Sequence, residues 1–410
     1  IWKRHFAGRV QDLKKIQTCK QERSRQSVML RSFQLQARFC RVCGCLFLPG
    51  LLTNPLETVR VTWKCWYTVY SAACFIFFVW YEFNVITRYV LMIDGSDHLF
   101  TQSLHVLMHI VVVLKSLVNY VSVISGSRSI LDFFREAESF EGTIDIPSCK
   151  CCVSKTFMWA DMRRMLLFVA YLAVYLAGTH FQLIDVLGGQ ELGREQYVLY
   201  RVGAVFAGIL FFTYDSLHFV SLKVCSLVLE GYVTTQCRVI ETCVSLRPSG
   251  SMDRAAKEVE AVRVRLCVIG NLKTTLNDVW NHSIVTSCAC QILVVCIAIF
   301  TVCTGGLARQ ELWLALIYSL YTVYETVDLA SVSQSLANSM KKIKNACKGA
   351  PTFEGTEAYN QQIQHLHNSI NPQDINVVGG DLFRIDMPLL VSITGSIITY
   401  SVILVQTSQE

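Results

Sequence analysis

The chain has 410 residues, 52% of them hydrophobic and only 17% charged, and a formal net charge of +6. Soluble domains carry nearer a quarter charged residues, so the composition excludes an ordinary soluble domain. The positive balance is not read as nucleic-acid binding, because basic residues in a membrane protein gather in cytoplasmic loops.

The first 62 residues are basic and mixed. They hold no short apolar core ahead of a small-residue cleavage site, so no signal peptide is read there. The chain starts at Ile1 rather than Met, and the natural N-terminus is expected upstream. Beyond residue 62 the apolar residues fall in blocks that can cross hydrocarbon as helix, which takes about 20 residues. Seven spans are predicted: Trp66–Thr87, Leu99–Ile124, Met165–Val186, Tyr197–Leu229, Val279–Thr304, Glu311–Ala337 and Pro388–Gln406. The second is interrupted by Lys115, the fourth by Arg201, Asp215 and Lys223, and the sixth by Glu325 and Asp328. The fourth to sixth are expected to continue as helices into the cytoplasm.

Residues 1–62 and the loops 125–164, 230–278 and 338–387 hold thirty of the 37 Lys and Arg, whereas the other side has only Arg88, Arg194 and Arg309. Positive residues stay inside, so the N-terminus is placed in the cytoplasm and the C-terminus outside. The fold class is thus an all-α multi-pass membrane protein. Its parts are a cytoplasmic region 1–62, spans one to six over 63–337, a cytoplasmic helix over 338–380 and a final span over 381–410.

Eighteen cysteines suggest metal or disulfides. The tight groups Cys40/Cys43/Cys45 and Cys149/Cys151/Cys152 lack a second pair at zinc-finger spacing, so no metal or cofactor is predicted. Asn281-His282-Ser283 forms a sequon, but it would sit in the inner half of the fifth span and is read as accidental.

Before the last span, Tyr359, Ile363, Leu366 and Ile370 are spaced 4, 3, 4, a packed helical stripe. It can seat on its own chain or on a neighbouring subunit. Asn371-Pro372 ends that helix, and Gly379-Gly380 bends the chain into the final span.

In the last span Thr399, Tyr400, Ile403, Gln406 and Thr407 share one helix face. From pattern alone they read equally as a polar end meeting the outer interface. The string Thr399-Tyr400-Ser401-Val402-Ile403-Leu404-Val405-Gln406, with Phe383, Asp386, Leu389 and Leu390 ahead of it, resembles the C-terminal signature of insect gustatory receptors. Two positions depart from it: Ser401 replaces a hydrophobic residue, and Thr407 stands where Phe is usual.

The resemblance implies a ligand-gated cation channel of the plasma membrane. Four copies would surround a central pore lined by the seventh helix. Ile403 and Gln406 would stand at the constriction, and the Tyr359–Ile370 helix would belong to a shared cytoplasmic anchor. A homotetramer in the lipid bilayer, permeating cations and a small-molecule tastant, of sugar or bitter type, are the expected partners. No enzymatic activity is expected.

In that topology the outer halves of spans two to six surround a pocket. The candidates are His105 and His109; His180, Gln182 and Asp185; Tyr200, Arg201 and Tyr214; and Trp313, Tyr318, Tyr321, Tyr324, Glu325 and Asp328. Tyr321, Glu325 and Asp328 share a face of the sixth span. Charges near a bilayer centre need a partner or a wet cavity. Tyrosines with acceptors suit a sugar, but a structural pair of Glu325 or Asp328 with Arg201 or Lys223 fits equally. A seven-span receptor signalling through G proteins is disfavoured by the inside N-terminus and by the absence of an Asp-Arg-Tyr-type triplet after the third span. A transporter is disfavoured by the lack of internal repeats.

Overall fold

The computed structural model describes residues 27–45, 48, 50–51, 55–93, 99–144, 194–245, 252–304, 309–349, 356–380 and 382–407. Its elements are α1 (Val28–Val42), α2 (Trp66–Ile93), α3 (Leu99–Thr143), α4 (Arg194–Ser245), α5 (Met252–Thr304), α6 (Arg309–Lys348), α7 (Glu357–Ser369) and α8 (Met387–Thr407). A hairpin of β1 (Val378–Gly379) and β2 (Phe383–Arg384) precedes α8.

Among the described residues five helices are long and apolar enough to cross a membrane: α2, α3, α4, α5 and α8. The expected third span, Met165–Val186, lies outside the described residues. The expected sixth span lies in α6, which is less apolar than those five. Glu325, Asp328 and several hydroxyl residues lower its hydropathy. Such a helix is stable in hydrocarbon only with its polar side against protein, and α6 packs along α4 and α5.

α3, α4 and α5 run 45, 52 and 53 residues, more than twice the length of a span. The extension of the fourth to sixth helices was expected; that of α3 was not. The second span was expected to end at Ile124, yet the helix continues to Thr143. The Ser125 and Ser127 hydroxyls donate to the Val121 and Val123 carbonyls, at 2.9 and 2.7 Å. Gly126 lets α5 close in, since a Cβ there would stand 2.8 Å from Val279 Cγ1.

Nor did the basic N-terminal region announce a helix. α1 begins at Ser27, whose hydroxyl accepts from Leu30 N, and buries Met29, Leu30, Phe33, Ala37 and Cys40 against α3 and α4. It is pinned at both ends. Glu141, at the end of α3, accepts from Val28 N (2.6 Å) and Met29 N (2.9 Å). A carboxylate there also favours the helix dipole. At the other end, the Tyr67 hydroxyl of α2 donates to Arg41 O (3.2 Å) and that of Tyr70 to Val42 O. Burial pushes the Cys40 and Cys45 thiols well above their usual range, so they stay protonated and inert.

α7 seats on α5 and α6 of its own chain, with Tyr359, Ile363, Leu366 and Ile370 buried. The segment after it is held by side chains of the same two helices. Lys344 donates to Ile370 O (2.9 Å), Lys273 to Asp374 O (2.8 Å), and the Ser333 hydroxyl accepts from Val377 N (3.0 Å). The hairpin turns at Gly380, whose φ is +64°, and its N–H donates to the Asn281 side chain. The sequon asparagine is therefore a strut. Gly379 lies against α5, where a Cβ would fall 2.6 Å from Ile284 Cγ2. Asp386 then caps α8 by accepting from Leu389 N at 3.1 Å.

Candidate functional site

Two places concentrate polarity where a membrane discourages it. The first joins α3, α4 and α6. Lys115 Nζ lies 2.9 Å from Asp215 Oδ1 and 3.9 Å from Glu325 Oε2, all three side chains at 5% exposure or less. Lys115 and Glu325 each sit sixteen residues into their helices, about 24 Å along the axis at 1.5 Å per residue. Lying equally far along α3 and α6, Lys115 and Glu325 can meet, and Asp215 reaches the same cation from α4.

Tyrosines complete the cluster. The Tyr318 hydroxyl donates to Asp215 Oδ1 (3.0 Å), and that of Tyr321 donates to Glu325 Oε1. The Tyr318 ring also lies 5.9 Å from the Lys115 ammonium, within cation–π range. One turn along α3, Asn119 Nδ2 donates to the carbonyls of Tyr214 (3.0 Å) and Asp215 (2.9 Å). Lys223 pairs with Asp328 farther along the same helices. Not every acceptor is filled. Asp215 Oδ2 and Asn119 Oδ1 are buried with no hydrogen-bond partner among the described residues. A buried acceptor left open favours a donor entering beside it.

Of the expected pocket residues, Tyr318, Tyr321 and Glu325 meet here. Tyr324 is half-buried beside them in sequence, Arg201 and His109 are half-buried, and Trp313 is exposed on α6. Tyr214 points elsewhere, donating to Cys43 O at 3.3 Å in the N-terminal segment. His180, Gln182 and Asp185 lie outside the described residues, as do the side chains of His105 and Tyr200. Of the pairings weighed for Glu325 or Asp328 with Arg201 or Lys223, Lys223–Asp328 forms, whereas Glu325 turns to Lys115. Lys115, Asp215 and Asn119 were not named as site residues. Their only signal was charge and amide inside apolar runs.

A separate cavity, with about 490 Å³ of empty space counting its open mouth, lies on the α1 side of this cluster. Phe33, Phe134, Leu217, Cys225, Val279 and Trp280 border it, and no residue of the charged cluster does. Among the described residues no three His, Cys, Asp or Glu side chains are placed to hold a metal ion.

The second place is α8. Its buried residues form one stripe, Ile393, Ile397 and Ser401, against Cys296 of α5 and its neighbours; Leu389 and Leu390 pack on the core near its start, and α8 also meets α6. At about 100° per residue, Ser392, Gly395, Thr399 and Gln406 fall opposite that stripe, with Ile403 beside them. Thr399, Tyr400, Ile403, Gln406 and Thr407 are all exposed. A Cβ at Gly395 would meet nothing within 4 Å. The hydroxyls here bond backward: Ser392, Thr394, Ser396, Thr399 and Thr407 each donate to the carbonyl four residues earlier. The sequence grouped the five by periodicity. The structure shows that Tyr400 and Thr407 flank the stripe, while Thr399, Ile403 and Gln406 face away from the subunit.

Residues 33–410 match the 7tm chemosensory receptor family. No curated protein sequence matches the chain. Among the solved structures that share its fold are two of the insect olfactory receptor OR5 from Machilis hrabei, one of them in complex with eugenol. Each is 15% identical and superposes with a TM-score of 0.70 over 92% of this chain and 97% or 98% of the other.

Proposed function

We propose that this chain, which belongs to the 7tm chemosensory receptor family, is one subunit of a small-molecule-gated, non-selective cation channel. In this reading seven spans cross the plasma membrane with the N-terminus in the cytoplasm, and four copies surround a pore lined by α8. The observation that carries it is the uncovered polar face of α8. A membrane helix packed on one side only, with Gln406 on its bare side, calls for water or another subunit there rather than lipid.

Around a fourfold axis the Ile403 side chains would close the pore by dewetting, and the Gln406 amides would offer dipoles to a partly hydrated cation. α8 carries no charged residue, so discrimination among cations would be weak. The ligand would enter from outside and engage the cluster of Tyr318, Tyr321 and Glu325, where open acceptors receive its hydroxyl or amine. α6 links the two places: Ser333 holds Val377, and Val377 O accepts from Ile385 N (2.8 Å) just ahead of α8. The Tyr359–Ile370 helix braces that link and would form part of the anchor shared by four subunits.

A sugar or bitter tastant is the ligand class that the resemblance to gustatory receptors implies. The likeness to an olfactory receptor solved with eugenol supports a second reading, a volatile odorant at the same cluster.

The test is whole-cell recording from cells without other chemoreceptors, with G-protein signalling blocked and a panel of sugars, bitter compounds and odorants applied. Ligand-evoked current that survives the block is expected, with Ile403→Ala leaking in the absence of ligand. Current that disappears with the block favours a G-protein receptor. Ile403→Ala and Gln406→Ala channels indistinguishable from wild type would remove α8 from the pore.

A further inference from the structure

We propose that α1 binds anionic phospholipids of the leaflet from which α2 starts, with its arginines on the headgroups and its outer apolar stripe in the acyl layer. Placing that leaflet on the cytoplasmic side rests on the orientation proposed above.

α1 has three faces rather than two. Its inner face is the buried stripe from Met29 to Cys40. On the opposite side Leu35, Phe39 and Val42 are exposed, spaced 4 and 3, so they form a second apolar stripe. Arg31, Arg38 and Arg41 all fall on the flank between, and the helix contains no acidic residue. A soluble surface helix has no use for a second apolar stripe; a helix in the interface plane does, with its basic residues at headgroup level.

Its depth is set independently. The Tyr67 and Tyr70 bonds tie the end of α1 to the first turn of α2. That turn carries Trp66, 89% exposed, and Tyr70, 43% exposed. Exposed Trp and Tyr at the start of a span mark the membrane–water boundary, so the arginine flank lies at that boundary. Arg60 and Lys64, also exposed, add charge at the same level. The arginine fork suits phosphate oxygens in particular.

The committed occupant is therefore an anionic phospholipid rather than a second copy or the segment before Ser27. Charge complementarity decides it. A second copy would bring the same basic flank to the contact, and residues 1–26 are themselves basic.

The test uses the full chain, purified in mild detergent and titrated with fluorescent phosphatidylserine or phosphatidylcholine. Wild type is expected to prefer phosphatidylserine, with the preference shrinking as salt rises. Arg38→Ala/Arg41→Ala should lose about fivefold of that preference per arginine. Arg38→Lys/Arg41→Lys, which keeps the charge, should retain most of it, and Leu35→Ser/Phe39→Ser should weaken both lipids alike. Equal binding of the two lipids by wild type, or an unchanged preference in the double alanine variant, overturns the proposal. So does a preference that appears only after residues 1–26 are removed, since that segment is then the cover.

Orientation is read separately, from antibody access to an N-terminal tag in intact and permeabilised cells. A cytoplasmic tag with no lipid preference overturns only the lipid site. A tag reached from outside, with the preference intact, overturns only the orientation.

Discussion

α4 and α8 are both apolar enough to span a membrane, yet 72% of the apolar window of α4 is buried in the subunit and only 17% of that of α8. The difference decides where charge can go. α4 carries Asp215 and Lys223, and each finds its counter-ion on a neighbouring helix. α8 carries hydroxyls and one amide but no charge. Most of that polarity is absorbed by its own backbone, because a hydroxyl can fold back onto the carbonyl four residues earlier. A charge has no such refuge. Packing inside the subunit permits ionic groups in α4, and the lack of it restricts α8 to groups that need no partner.

The comparison breaks first at Lys115. Lys115→Met leaves Asp215 and Glu325 buried without their cation. Removing one partner of a buried pair costs about 3–5 kcal/mol, so the variant should lose most folded protein by fluorescence-detected size exclusion. Lys115→Met combined with Asp215→Asn and Glu325→Gln should recover much of it. If the single variant is as stable as wild type, the cluster is solvated and burial does not govern the charges of α4.

A smaller effect is expected at the joint between the two regions. Gly379→Ala pushes a methyl group against Ile284 and should cost about 1–3 kcal/mol. It should also raise the ligand concentration needed for half-maximal current, by loosening the link to α8. Tyr318→Phe comes next. Loss of its hydrogen bond to Asp215 should cost about 1.5–3 kcal/mol, as for bonds to charged groups. A shift in ligand potency beyond that stability loss marks Tyr318 as a ligand contact, and stability loss alone marks it as packing. The smallest stability change belongs to α8. Gln406→Leu should leave the melting temperature of the subunit nearly unchanged, since exposed substitutions fall within about ±0.5 kcal/mol. The same change should alter single-channel conductance. A large stability change there would mean that the Gln406 side of α8 also has contacts within its own subunit.

Much of this was readable in sequence and some was not, for physical reasons. The stripe Tyr359–Ile370 was legible because helical periodicity survives without knowledge of its partner. Glu325 with Tyr321 was legible because four residues place them on one face. Lys115 was not matched to Asp215, because their positions are a hundred residues apart and only tertiary packing brings them together. The second span was expected to end at Ile124, but the helix runs on to Thr143, because Gly126 serves α5's approach rather than a turn. The β1–β2 hairpin is two residues on each side, too short for alternation to reveal. α1 was hidden because its three faces blur the contrast on which a two-faced helix is recognised.

The backward-bonded hydroxyls of α8 bear on how such a protein is made. A subunit leaving the ribosome must wait in the membrane before it meets others, and a helix bristling with unsatisfied donors would be retained or misassembled in that interval. On α8 five hydroxyls, those of Ser392, Thr394, Ser396, Thr399 and Thr407, are already occupied along their own helix. The exception on the outward stripe is the Gln406 amide, next to the last residue of α8, where in the proposed orientation the aqueous boundary would be within reach of its side chain. The newly made chain can therefore remain solitary at little expense. In the proposed tetramer, assembly would then be governed by encounter between subunits, with the Gln406 amide left to register that it has occurred.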